Sequence, residues 1–167
     1  MSNQNPLLSL IACACLMATA LNTTAAEPGT TTAVIEEYAD SYPGYGVSES
    51  VRAGDFVYIG GIIATDMEGQ VISPNDGAVQ TKIVYDRIKR ILAAHGATAK
   101  DVVSETIYLT DWEQFGAGAE IRKQFFDDAG AAYPSAVGQQ VVSLAAEGLV
   151  LEVQVVAYIG ATKKVGE

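Results

Sequence analysis

Tyr133-Pro134-Ser135-Ala136-Val137-Gly138, followed downstream by Leu151-Glu152-Val153, is the stretch on which the fold turns. Pro134–Leu144 and Leu149–Ile159 both read as strands, and Ala145-Ala146-Glu147-Gly148 between them predicts a hairpin. Side chains alternate along a strand. In the last one, Val150, Glu152, Gln154 and Val156 therefore share one face, and Leu149, Leu151, Val153 and Val155 share the other.

Working outward, Asp111 reads as a helix N-cap with Gln114 as its box partner. The helix runs to Asp128, with Phe115, Ile121, Phe125 and Phe126 as core positions, and Gly116 and Gly118 make its first turns soft. Val102–Thr110 is a strand before it. Gly77–His95 is a longer helix whose stripe is Val79, Ile83, Val84, Ile88, Ile91 and Leu92. Lys82, Arg87, Lys89 and Arg90 cover its other side, and Gly96 is its left-handed cap. His95, the single histidine, reads as a cap contact rather than a base. Val47–Val51 and Phe56–Ala64 are strands joined by the turn Arg52–Asp55, and Gly60-Gly61 marks a close approach of backbone or ligand. The order is β-β-α-β-α-β-β, which places two helices on one face of a mixed sheet: a two-layer α+β sandwich.

The ends of the chain read differently. Leu7–Leu21 is an apolar run, short of the ~20 residues that span a bilayer. The small residues Asn22–Ala26 follow it. Residues 1–26 thus read as a signal peptide cleaved after Ala26, giving a periplasmic or secreted protein free of the membrane. Leu10-Ile11-Ala12-Cys13 offers a lipid anchor at Cys13 as the alternative, although Leu7–Leu10 is brief for a lipoprotein signal. Cys13 and Cys15 both lie in this run, so the mature chain has no disulfide and no thiol chemistry. Residues 27–43 read as a spacer with a short strand at Ala33-Val34-Ile35, the domain covers 44–160, and 161–167 is a tail. A net charge of −10 repels phosphate backbones, which argues against a nucleic-acid partner. No His/Cys/carboxylate spacing suits a metal, and no cofactor motif is present.

Pro134 with Glu152, Gly61 with Ile63, Asp101-Val102-Val103, Tyr108-Leu109-Thr110-Asp111, Phe115 and Phe125-Phe126 together resemble the Rid family (YjgF-type, reactive intermediate deaminases) in order and spacing. The resemblance spans roughly Gly44–Gly160. It implies a chorismate-mutase-like fold and a homotrimer with ligand clefts between subunits. It matches Glu152 to the glutamate that positions the attacking water, and the backbone amides of Gly61 and Gly138 to ligand donors. Tyr45 stands close to the pocket tyrosine, whose own position is Val47. The arginine that grips the substrate carboxylate is here Ala136, and the serine and glutamine flanking the glycine are Gly60 and Ile62. A methyl group cannot replace a guanidinium fork. Arg87, Arg90 and Arg122 lie on helices, which the family places outside, so none is an obvious substitute. The expectation is a trimer that binds a small, uncharged metabolite and has lost imine deamination. The alternative is an enamine or imine hydrolase using Glu152 and a water. A nuclease role lacks a basic patch, a metal cluster and a catalytic histidine.

Overall fold

A computed structural model describes residues 32–34 and 46–161. The expected signal peptide, Cys13 and Tyr45 lie outside the described residues. Six strands form one sheet in the order β1-β2-β3-β6-β4-β5, with β1 at Thr32–Val34, β2 at Ser50–Ala53, β3 at Phe56–Ile62, β4 at Val102–Leu109, β5 at Ser135–Gln140 and β6 at Leu151–Tyr158. All pairs are antiparallel except β4–β5. Helices α1 (Gly77–Ala94) and α2 (Trp112–Asp128) pack against each other over one face of the sheet. This is the expected two-layer sandwich, with the order β-β-α-β-α-β-β running from β2.

The core lies between these layers. Val57, Ile59 and Ile62 of β3, Leu151, Val153, Val155 and Ala157 of β6, and Ile107 and Leu109 of β4 point into it, opposite Val84, Ile88, Ile91 and Leu92 of α1. Gly96 has φ +73, the Gly96 amide donates to Ala93 and the Ala97 amide donates to Leu92, which closes α1 with the anticipated glycine cap. Asp111 caps α2 through the amides of Glu113 and Gln114. The soft glycine of α2 has a packing reason. A Cβ on Gly118 would sit 2.1 Å from Thr81 Oγ1, so only glycine lets α2 approach α1 so closely.

Two expectations fail. Val79 is 39% exposed, whereas Arg87 is buried and donates to the carbonyls of Ile63 and Thr65 at 2.9 and 2.7 Å. Those carbonyls lie just past the end of β3, and the guanidinium reaches them across the core. Nor do β5 and β6 form a hairpin. After α2 the chain returns parallel to β4, a β-α-β crossover, and β6 inserts between β3 and β4. The division follows burial. Leu151, Val153, Val155 and Ala157 need cover on their face and take a central position, while Ser-Ala-Val-Gly-Gln-Gln of β5 is exposed throughout and takes the edge.

Candidate functional site

Glu152 lies on the face of the sheet away from the helices, in a row with Tyr108 of β4 and Gln139 of β5. Its neighbour on the other side is the bulge in β3. Between Ile59↔Val155 and Ile62↔Val153 the register shifts, leaving Gly60 and Gly61 opposite Gln154 alone. The Glu152 side chain folds over Gly61. A Cβ there would lie 1.9 Å from Oε1, so Gly61 is the space into which the carboxyl fits. Among the described residues no group donates a hydrogen bond to this carboxyl. Desolvation alone pushes its pKa up from the ordinary value of 4.5. A half-buried carboxyl so raised is suited to carrying a proton at a reacting centre.

That shift has a consequence for stability. The folded state disfavours the charged form, so its contribution is fully present below about pH 4.5. It is lost as pH rises through the folded pKa. Glu152→Gln is therefore expected to be more stable than the parent at pH 7, with the gap closing near pH 4. Urea midpoints at the two pH values check this, and a variant less stable at pH 7 contradicts it.

Ala136 and Gly138 are elsewhere. In the β4–β5 ladder they align with Glu105 and Ile107, so they face the helix side, at the free edge of the sheet. Gly138 is roofed by Trp112, the first residue of α2, and a Cβ on it would meet the indole Cη2 at 2.6 Å. Within one chain, then, Gly61 and Glu152 come together, as do Ala136 and Gly138. The two pairs lie on opposite faces, with β4 between β6 and β5, roughly 10 Å from strand to strand. Val47 is 63% exposed. Ile62 points into the core and takes no part in the site.

Beside Glu152's row the open face carries a shallow depression of about 350 Å³ with Ser104, Thr106 and Gln154 on its floor, and no charged side chain lines it. On the helix side the carboxylate of Glu105 is fully buried and fully bonded. Oε1 accepts from Tyr85 Oη at 2.9 Å, and Oε2 accepts from Nε of Arg122 at 2.9 Å and from its NH2 group. Burial and the adjacent Glu105 push the Tyr85 phenol well up, so it stays a donor. Arg122 also lies over the Phe126 ring at 5.3 Å. Its guanidinium is part-buried and engaged by Glu105. His95 caps α1 and meets Ser50 Oγ at 3.0 Å in a buried contact, and its pKa is lowered by burial and by Arg52. This is the cap role expected of it.

Sequence reasoning missed Tyr108, Glu105 and Trp112 as neighbours of the site. Each is brought there by strand pairing or helix packing between residues distant in the chain. The one local signal that could have found Trp112 is Gly138, whose missing side chain leaves room for the indole.

Residues 40–159 match the model of the endoribonuclease L-PSP family. A RutC family protein of Pyrococcus abyssi is 34% identical over 111 residues, 66% of this chain and 84% of that one. The 3-aminoacrylate deaminase RutC of Acinetobacter baylyi is 33% identical over 79 residues, 47% of this chain and 63% of its own length. The fold matches that of Escherichia coli TdcF, solved with bound serine, with a TM-score of 0.67, 26% identity and coverage of 76% of this chain and 98% of the other. With the matched region spanning the whole sandwich and the relatives agreeing, the chain belongs to the Rid (YjgF, L-PSP) family.

Proposed function

We propose that this protein is an exported, trimeric member of the family that holds a small uncharged metabolite in clefts between subunits and has lost the hydrolysis of 2-imino acids. The observation that carries this reading is Ala136 at the open β5 edge, where a carboxylate-binding guanidinium would otherwise stand. The described arginines and lysines offer no replacement there. Arg122 is bonded to Glu105, Arg87 to core carbonyls, and Arg52 to the carbonyls of Gly54 and His95. Lys82 and Lys123 pair with Asp86 and Asp127. Lys89 and Arg90 ride on α1, and Lys100 precedes β4. The neutral floor of the depression suits the same ligand class.

Trimer formation is supported by the placement of the two half-sites. The Gly61–Glu152 pair and the Ala136–Gly138 pair face opposite ways in one chain, so a second copy is the simplest means of joining them across a cleft. The exposed aromatic cluster of Phe56, Tyr58 and Tyr158 on the open face also calls for cover. The second reading is a deaminase that uses Glu152 and a water on a substrate recognised without arginine. It is favoured by the raised pKa of Glu152 and by the 3-aminoacrylate deaminase among the relatives.

The test combines light scattering of the mature chain with crystals soaked in matched carbonyl and carboxylate metabolites. Three chains per particle and a neutral carbonyl compound bound next to Glu152 are expected. A monomer at micromolar concentration, or carboxylates bound in preference to neutral analogues, contradicts the proposal.

A further inference from the structure

The roof over Gly138 is not required by the fold. α2 is already capped by Asp111 and anchored by the buried Phe126 and Phe115. Trp112 contributes little to that core: it is 49% exposed and touches Phe115 only edge-on, with centroids 6.3 Å apart. Instead its six-membered ring reaches across to β5 and settles on the one residue there that has no Cβ. Alanine at 138 would force the indole away. The chain thus presents a half-exposed aromatic face beside Ala136, at an edge where no described cation is available.

We propose that the Trp112 indole is the recognition surface of the ligand site, stacking a planar, conjugated group without an anionic head against β5 at Ala136–Gly138. This rests on the reading of the site as one that binds uncharged metabolites, and it names the feature that selects them. The electron-rich indole face attracts flat unsaturated groups and cations. A carboxylate gains nothing from that face, and with a chain charge of −10 it is repelled. An aromatic wall has thus taken over the recognition edge, and the ligand class changes from acid to amide-, imine- or aryl-like.

Trp112 is the only tryptophan of the chain, so intrinsic emission reports this one position. The full mature chain is titrated with benzamide, benzamidinium and benzoate, which share a ring and differ in head-group charge. Saturable changes in emission are expected with benzamide and benzamidinium, and at least tenfold weaker binding with benzoate. Calorimetry then reads the variants. Trp112→Leu should weaken benzamide about tenfold, the scale of one stacking contact, with its melting temperature kept. Gly138→Ala should do likewise, with emission shifted to the red as the indole leaves the strand. Benzoate binding as well as benzamide, unchanged benzamide affinity in Trp112→Leu, or no saturable response to any of the three probes overturns the proposal. Imine hydrolysis is a separate readout. Full hydrolysis together with benzamide stacking sinks the loss-of-activity reading alone. Absent hydrolysis with benzamide preferred over benzoate, but at an affinity unchanged in Trp112→Leu, sinks the stacking proposal alone.

Discussion

Replacing Ala136 with arginine is expected to raise kcat/KM for 2-aminoacrylate or 2-iminobutanoate by roughly 30- to several-thousand-fold. The magnitude follows from what a guanidinium–carboxylate contact contributes in a partly desolvated cleft, about 2–5 kcal/mol, at ~1.4 kcal/mol per decade. The position can accept the side chain. β5 is exposed along its length, and Ile62 is turned into the core. Glu105, aligned with Ala136 across the β4–β5 ladder, is already neutralised by Arg122 and hydrogen-bonded to Tyr85, so it offers the new guanidinium no competing unpaired carboxylate. Imine hydrolysis coupled to an amino-acid oxidase measures the gain. An Ala136→Arg variant no faster than its parent would show that the arginine is not what the site lacks.

The second large effect is on stability. Arg122→Met is expected to cost about 3–5 kcal/mol, because it strands a buried charge at Glu105 with Tyr85 as its only remaining partner. Arg122 itself is only 19% exposed, so solvent cannot take over its role. The guanidinium also lies over the Phe126 ring, a contact that methionine gives up. The double variant Glu105→Leu with Arg122→Met should recover only part of the loss: a buried ion pair replaced by apolar groups is often neutral, but the buried Tyr85 hydroxyl then loses its acceptor. Chemical denaturation of the single and double variants checks both statements. A single variant within about 1 kcal/mol of the parent would mean that water reaches Glu105, contrary to its burial.

Much of this architecture was legible from local chemistry. The Asp111 cap, the Gly96 stop, the alternation that puts Glu152 and Leu151 on opposite faces, and the significance of Gly60-Gly61 all depend on neighbours in sequence, and all appear where spacing put them. What failed depended on partners far along the chain. The four residues after Leu144 looked like a hairpin turn, yet the choice between a hairpin and an insertion beside β3 is made by which strand needs burial on its inner face. Arg87 looked like a solvent-facing member of a basic stripe, and only the carbonyls of Ile63 and Thr65 explain why it is buried. Glu105 looked like an ordinary residue of a strand. Its role appears only when α1 and α2 bring Tyr85 and Arg122 to it. The family resemblance located the candidate residues, but it did not show that one chain holds them as two pairs on opposite faces.

The most direct test of the central claim is the rate at which the unsubstituted protein hydrolyses 2-aminoacrylate, measured in the same coupled assay as an arginine-containing relative. A rate indistinguishable from the uncatalysed reaction is expected. A rate equal to the relative's would contradict the account, show that the guanidinium is dispensable here, and favour the hydrolase reading in its place.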